Sequence, residues 1–263
     1  MKIAWCTDLH LNFCDDQSVE EFIDRLGNSG VAAVLISGDI STGHLIGVHL
    51  KKIAAVDLPI YFCLGNHDFY GGSFSEIDRI VNECCRQCSN LHHLGQGEII
   101  QLTTDTTLVG HRGWADGRAG AVSQSRVWLN DFEKIQDLKL DDPNTLFSKL
   151  AALGSESAIY FSEIIPRATA QSERVVVLTH IPAFPQAACH NGRMSDPEYL
   201  PHFCNVAGGQ AILWAAEEQP EKQIHVLCGH THEGGVVEIR TNLQVKTGGA
   251  TYGQPKIWEI LDL

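Results

Sequence analysis

Several stretches of this chain are apolar at almost every position rather than at every second one. Val31 to Ile36, Ile60 to Leu64, the run from Arg174 to Leu178 and Ile224 to Leu227 all read this way. A strand with one face in water alternates apolar and polar residues. An unbroken run is buried on both faces, as in parallel sheets covered by helices. Lys2 to Thr7 predicts a first strand. Ser18 to Leu26 then has helical spacing in Val19, Phe22, Ile23 and Leu26, with Ser18 placed to cap it and Gly27 to stop it. His44 to Val56 predicts a second helix before the run at Ile60. Strand–helix–strand–helix–strand is the pattern of an α/β unit. Such sheets collect their ligands at the carboxyl ends of the strands.

Those ends carry the chemistry. The first run is followed by Asp8-Leu9-His10 and the second by Ser37-Gly38-Asp39. Gly65-Asn66-His67-Asp68, Thr179-His180 and Gly229-His230-Thr231-His232 follow the others. Singly, each is an ordinary turn former or a structural histidine. Together they place buried charge at sheet ends, which is costly unless paired or bound to metal. On extended chain, Asp-x-His and His-x-His put both side chains on one side. Asp8, His10, Asp39, Asn66, His180, His230 and His232 supply mixed nitrogen and oxygen donors. Such a set suits two transition-metal ions with one bridging carboxylate better than a single tetrahedral zinc.

The rest of the chain is read more coarsely. Phe74 to Cys88 predicts a helix, and Glu98 to Leu102 with Thr107 to His111 a hairpin. Asn144 to Ala170 is amphipathic, with a kink or break expected near Gly154 and Pro166. Residues 183–207 predict a long loop, and Gly208 to Glu218 a helix. Gly235 to Arg240, Leu243 to Lys246 and Lys256 to Leu261 predict closing antiparallel strands. With no repeat or linker, 1–263 reads as a single domain. In Gly113-Trp114-Ala115-Asp116-Gly117-Arg118, Arg118 is a candidate phosphate or base contact, with Trp114 available for stacking. Alternatively, Trp114 packs the sheet edge and Arg118 pairs with Asp116. Arg193 is a second candidate. His92, His93 and His111 have no partner spacing and read as structural or exposed.

Charge and cysteine usage bound the partners. A net charge of -13 argues against general binding to nucleic acid or anionic membranes. A phosphorylated small molecule remains compatible, because bound cations reverse the local field. The nine cysteines form no secreted-domain framework, and Cys84, Cys85 and Cys88 read as incidental thiols on a helix face. A cytoplasmic protein is expected, since the run after Lys2 is too short for a signal peptide and no stretch reaches transmembrane length.

Asp8-x-His10, Gly38-Asp39, Gly65-Asn66-His67-Asp68, His180 and Gly229-His230-x-His232, in this order, resemble the five motifs of the calcineurin-like metallophosphoesterase superfamily. The resemblance spans Asp8 to His232. It implies a four-layer αββα sandwich of two mixed β-sheets flanked by helices. It implies that Asp8, His10 and His232 hold one metal and Asn66, His180 and His230 the other, with Asp39 bridging. Two such cations, about 3.5–4 Å apart, clamp a phosphoryl oxygen and supply an attacking hydroxide. His67 is not a ligand in the family pattern. It is expected over the phosphate, stabilising charge or protonating the leaving oxygen, with Asp68 orienting it by a hydrogen bond. The metal identity stays open among Mn, Fe, Zn and Ni.

One departure narrows the reading. Protein Ser/Thr phosphatases carry Gly-Asp-x-Val-Asp-Arg-Gly, whereas here Ile40-Ser41-Thr42-Gly43 follows Asp39. The missing arginine disfavours that branch, and the acidic balance disfavours a nuclease gripping long DNA. The expectation is a hydrolase of a small phosphorylated molecule, monoester or diester. The alternative from another class is a non-catalytic, metal-stabilised binding or scaffold protein on the same fold.

Overall fold

A computed structural model describes residues 1–120 and 122–263. The first half alternates β1 (Lys2–Cys6), α1 (Asp16–Gly27), β2 (Ala33–Ser37), α2 (Leu45–Ala54), β3 (Ile60–Cys63), α3 (Phe74–Gln87) and β4 (Leu91–His93). The hairpin β5 (Ile100–Thr103) and β6 (Thr106–Gly110) follows, then α4 (Asp131–Lys134), α5 (Pro143–Thr169) and β7 (Arg174–Leu178). Next come β8 (Cys189–His190), β9 (Arg193–Met194), α6 (Leu200–Phe203) and α7 (Val206–Glu218). The chain closes with β10 (Gln223–Cys228), β11 (Gly235–Arg240), β12 (Leu243–Thr247) and β13 (Glu259–Asp262).

One sheet has the order β13-β1-β2-β3-β4 and the other β11-β12-β10-β7-β6-β5. Strands β1 to β4 run parallel, with β13 antiparallel on the free side of β1. In the second sheet β6, β7, β10 and β12 run parallel, and β5 and β11 are antiparallel edges. Both sheets are therefore mixed.

The side-chain period of two explains the unbroken apolar runs. Ala4, Cys6, Val34 and Ile36 join Phe22, Leu50 and Ile77 under α1, α2 and α3. Ile3, Trp5, Ala33 and Leu35 point the other way and meet Val176, Leu178 and Leu227 of the facing sheet. Val175, Val177, Ile224 and Val226 cover the outer face of that sheet beneath Phe161, Ile164 and Ile212 of α5 and α7. Every central strand thus feeds two cores, and the layers stack helix, sheet, sheet, helix. Among the described residues, no helix is long and apolar enough to cross a membrane.

Three expectations are corrected. The segment 143–169 is one unbroken helix. Gly154 does not break it: a Cβ there would lie 2.3 Å from the Asp116 Cβ, so the glycine admits a close loop contact. Pro166 is tolerated because the carbonyl it leaves without a donor belongs to Ser162, which is exposed. The closing runs are not one antiparallel group. β12 lies parallel to β10, and β13 crosses to the first sheet to pair with β1. Residues 183–207 are not a featureless loop, since they carry β8–β9 and α6.

Candidate metal centre

The parallel strands β1, β2 and β3 of one sheet, with β7 and β10 of the other, end at a common edge. Backbone bonds lace their ends together. Asp8 N donates to Gly38 O at 3.0 Å, His10 N to Asp39 O at 2.9 Å, and Gly229 N to His180 O at 3.0 Å. His180 Nδ1 donates to Ser37 O at 2.8 Å and ties the second sheet to the first. That bond commits the Nδ1 proton and turns His180 Nε2 toward Asn66 and Asp39.

Asp-x-His and His-x-His do not converge by extended alternation. Asp8 (φ 49°), His10 (φ 44°), Asp39 (φ 53°), His230 (φ 73°) and His232 (φ 59°) are all left-handed. Each such residue costs about 1–3 kcal/mol, and strain of this kind gathers where function demands it. The glycines beside these residues have a steric cause. A Cβ on Gly65 would lie 2.1 Å from Asp39 Oδ1, and one on Gly229 would lie 2.1 Å from Asp8 Oδ2. The backbone at both positions packs directly on a carboxylate.

Two groups of donor atoms result. Asp8, His10, Asp39 and His232 offer ligand atoms within 4.8 Å of one another. His10 Nε2 and His232 Nε2 are 2.9 Å apart, His232 Nε2 is 3.4 Å from Asp8 Oδ1, and His10 Nε2 is 3.7 Å from Asp39 Oδ2. In the second group, Asn66 Oδ1 is 3.0 Å from His180 Nε2 and 3.1 Å from His230 Nδ1. Asp39 Oδ1 is 3.4 Å from the same His180 nitrogen. Donors around a cation with bonds of about 2.1 Å are separated by roughly 3.0–3.4 Å when adjacent and about 4.2 Å when opposite, a span that covers the separations in both groups. Asp39 turns one oxygen to each group.

The electrostatics also ask for cations. Asp8, Asp39, Asp68 and Asp131 are all at most 6% exposed. Among the described residues, the ion pairs made by Asp8 and Asp39 are with histidines alone. Burial opposes the charged form of His180, yet the Asp39 carboxylate holds its pKa up at about 10. Burial takes His10 down to about 4 and His230 to about 3. Burial works against the charged form of Asp39 as well, but His180 and His67 draw its pKa well below the usual carboxylate range.

His67 belongs to neither group. Its backbone N donates to Asp39 Oδ1 at 2.9 Å, and its ring stacks on Tyr70 at 4.3 Å and meets the His10 ring edge-on at 4.7 Å. The expected hydrogen bond from Asp68 is absent among the described residues. Asp68 is fully buried, and its oxygens accept from Ser41 N at 2.7 Å and Gly65 N at 2.8 Å. Burial, reinforced by the Asp39 charge, lifts its pKa to about 8. Asp68 therefore braces the loops after β2 and β3, and Tyr70 supports the imidazole.

Trp114 and Arg118 are likewise corrected as substrate contacts. Trp114 is 4% exposed and packs edge-on against Phe69 and Phe74. Arg118 Nη1 pairs with Asp116 Oδ2 at 2.8 Å, and Nη2 donates to Ser155 Oγ and Ala151 O on α5. The buried Asp116 carboxylate captures the guanidinium and fastens this loop to α5. Arg193 is exposed on β9.

Other residues enter that no motif announced. Asp131 Oδ1 accepts from Asn66 Nδ2 at 2.9 Å and from Tyr70 O–H at 2.6 Å. It holds the Asn66 amide with its oxygen toward His180 and His230. The Tyr252 ring lies 4.5 Å from that of His10 and 4.9 Å from that of His232. Asp131 follows only the short run Val127-Trp128-Leu129 and Tyr252 follows none, so no strand-length signal marks them. Tyr70 lies four residues after Asn66, and that proximity was the one available hint.

A family model described as calcineurin-like phosphoesterase matches residues 1–234. No curated protein matches the chain. Among solved structures, a dimetal phosphatase from Danio rerio superposes with a TM-score of 0.60 at 13% identity, covering 96% of this chain and 88% of that one. TT1561 of Thermus thermophilus gives a TM-score of 0.51 at 11% identity, covering 94% and 88%. At these identities the likeness to the two structures is one of fold.

Proposed function

The chain belongs to the calcineurin-like phosphoesterase family, and on that premise we propose that it is a two-metal hydrolase of a small phosphorylated molecule. The observation that carries this reading is Asp39, whose Oδ2 faces His10 at 3.7 Å while its Oδ1 faces His180 at 3.4 Å. A carboxylate spanning two donor groups fits a dinuclear centre, whereas a structural ion needs only one group. Asp8, His10 and His232 would hold the first cation and Asn66, His180 and His230 the second, with Asp39 shared between them. When bound, the cations polarise the phosphoryl oxygens and activate water at neutral pH.

The chain's own residues do the rest. The donor groups fix where the phosphoryl group sits. His67, half-buried between Tyr70 and His10, delivers a proton to the leaving oxygen. Asp131 keeps the Asn66 amide from turning its NH2 toward the second cation. A scaffold or binding protein has no use for a supported imidazole beside the donors, which favours the enzyme over that alternative. The test is turnover of a nitrophenyl phosphate ester. Activity should vanish on chelation and return with Mn²⁺. Turnover that survives rigorous metal removal would defeat the proposal.

The Asp131 role carries its own prediction. Asp131→Ala should weaken the second cation about 10–100-fold, the usual cost of losing a partner that orients a ligand, and spare the first. A calorimetric Mn²⁺ titration reads this directly. Two unaltered tight steps would show that Asn66 needs no such support.

A further inference from the structure

Two grooves meet at the candidate centre. One, of about 600 Å³, is walled by Tyr199 and Phe203 and opens beside His230 and His232. The other, of about 680 Å³, carries Lys134 and Lys139. They share His67, Tyr70, Asn130 and Tyr252, so His67 stands where they join.

The first groove has the means to hold an organic group. Tyr199 and Phe203 stack with ring centroids 5.9 Å apart, and Phe203 sets its edge against His230 at 5.1 Å. Ser195 is 3% exposed, lines this groove, and its Oγ has no partner among the described residues. An unsatisfied buried hydroxyl costs free energy that a ligand polar atom recovers. Among the described residues, no Lys or Arg lines this groove.

We propose that the substrate is a phosphodiester whose two organic arms leave the phosphorus in these two grooves. A flat, uncharged arm lies against Tyr199 and Phe203, and a polar or anionic arm extends toward Lys134 and Lys139. This deepens the hydrolase reading above and rests on it. A monoester has a single arm and leaves one groove without an occupant. Charge points the same way. A monoester is close to a dianion at neutral pH, and proteins usually hold such groups with forked guanidinium contacts. Among the described residues no Arg lines either groove, and Lys134 in the second has its Nζ 5.1 Å from the Tyr70 ring centroid. A diester adds a single negative charge. Hydrolysis adds water across one P–O bond: hydroxyl goes to phosphorus, a proton goes to the departing oxygen, and a phosphomonoester and an alcohol result.

The experiment compares 4-nitrophenyl phosphate with bis(4-nitrophenyl) phosphate on the Mn²⁺-loaded protein. The diester should be favoured in kcat/KM by about tenfold or more, the worth of one additional occupied groove. The second readout is binding, measured by calorimetry on the Mn²⁺-loaded protein with non-hydrolysable phosphonate analogues of the two esters, where the diester analogue should again bind more tightly. Tyr199→Ala should raise the KM for the diester about 3- to 10-fold, the loss of one aromatic contact. Equal or better use of the monoester, with equal or tighter binding, overturns the diester proposal while leaving the hydrolase reading intact. No turnover of either ester overturns both.

Discussion

Asp39→Asn is expected to release both metal ions and to lower phosphoester hydrolysis by about 10³-fold or more, the effect of losing several kcal/mol of charge stabilisation at the phosphoryl group. Asp39 is 1% exposed and gives one oxygen to each donor group. An asparagine of the same shape removes the negative charge between the two positions. With the retained oxygen in the Oδ1 place, it also turns an NH2 toward His10 Nε2, where a donor opposes a cation. The fold should survive, because the same side chain can still accept from His67 N through its remaining oxygen. Elemental analysis of the purified variant, with circular dichroism as the folding control, checks this. An active variant with two tightly held metals would remove Asp39 from the bridging position.

The second large effect separates His67 from the ligands. An alkoxide leaves phosphorus poorly without a proton, whereas a nitrophenolate is already a stable anion. General acid catalysis typically contributes about 10²–10⁴-fold. His67→Ala should lose about that factor on an alkyl phosphate ester and much less on a nitrophenyl ester. Metal content should not change, because the His67 ring contacts Tyr70 and His10 rather than completing either donor group. An equal loss on both leaving groups would assign His67 to stabilising the phosphoryl oxygens instead. Loss of a metal would make His67 a ligand.

The buried strands and the gathering of donors at their ends were legible in the sequence for one physical reason, whereas the four-layer stacking was implied only by the resemblance. A strand buried on both faces has no room for a polar residue, so the first Asp, Asn or His after the run marks the sheet edge. Asp8, Asp39, Asn66, His180 and His230 are found this way. The backbone that aims them was not legible. Left-handed Asp8, His10 and Asp39 are fixed by loop-to-loop hydrogen bonds, by Gly65 and Gly229 packing on carboxylates and by Gly38 packing on the His180 side chain, all of them non-local. Asp68 was misread because its neighbour in sequence is His67, while its partners in space are the backbone N–H groups of Ser41 and Gly65. Asp131 and Tyr252 reach the centre from 63 and more residues beyond Asp68 in the chain, and nothing periodic announces such an approach. The crossing of β13 to pair with β1 was hidden in the same way. A short apolar run specifies a strand but not its neighbour.

The most direct test of a two-metal hydrolase is a titration of metal-stripped protein with Mn²⁺, following heat of binding and ester turnover in the same samples. Two equivalents should bind per chain, and turnover should rise only as the second is taken up. Saturation at a single equivalent, or turnover that is full before the second ion binds, would contradict a centre in which Asp39 joins two cations.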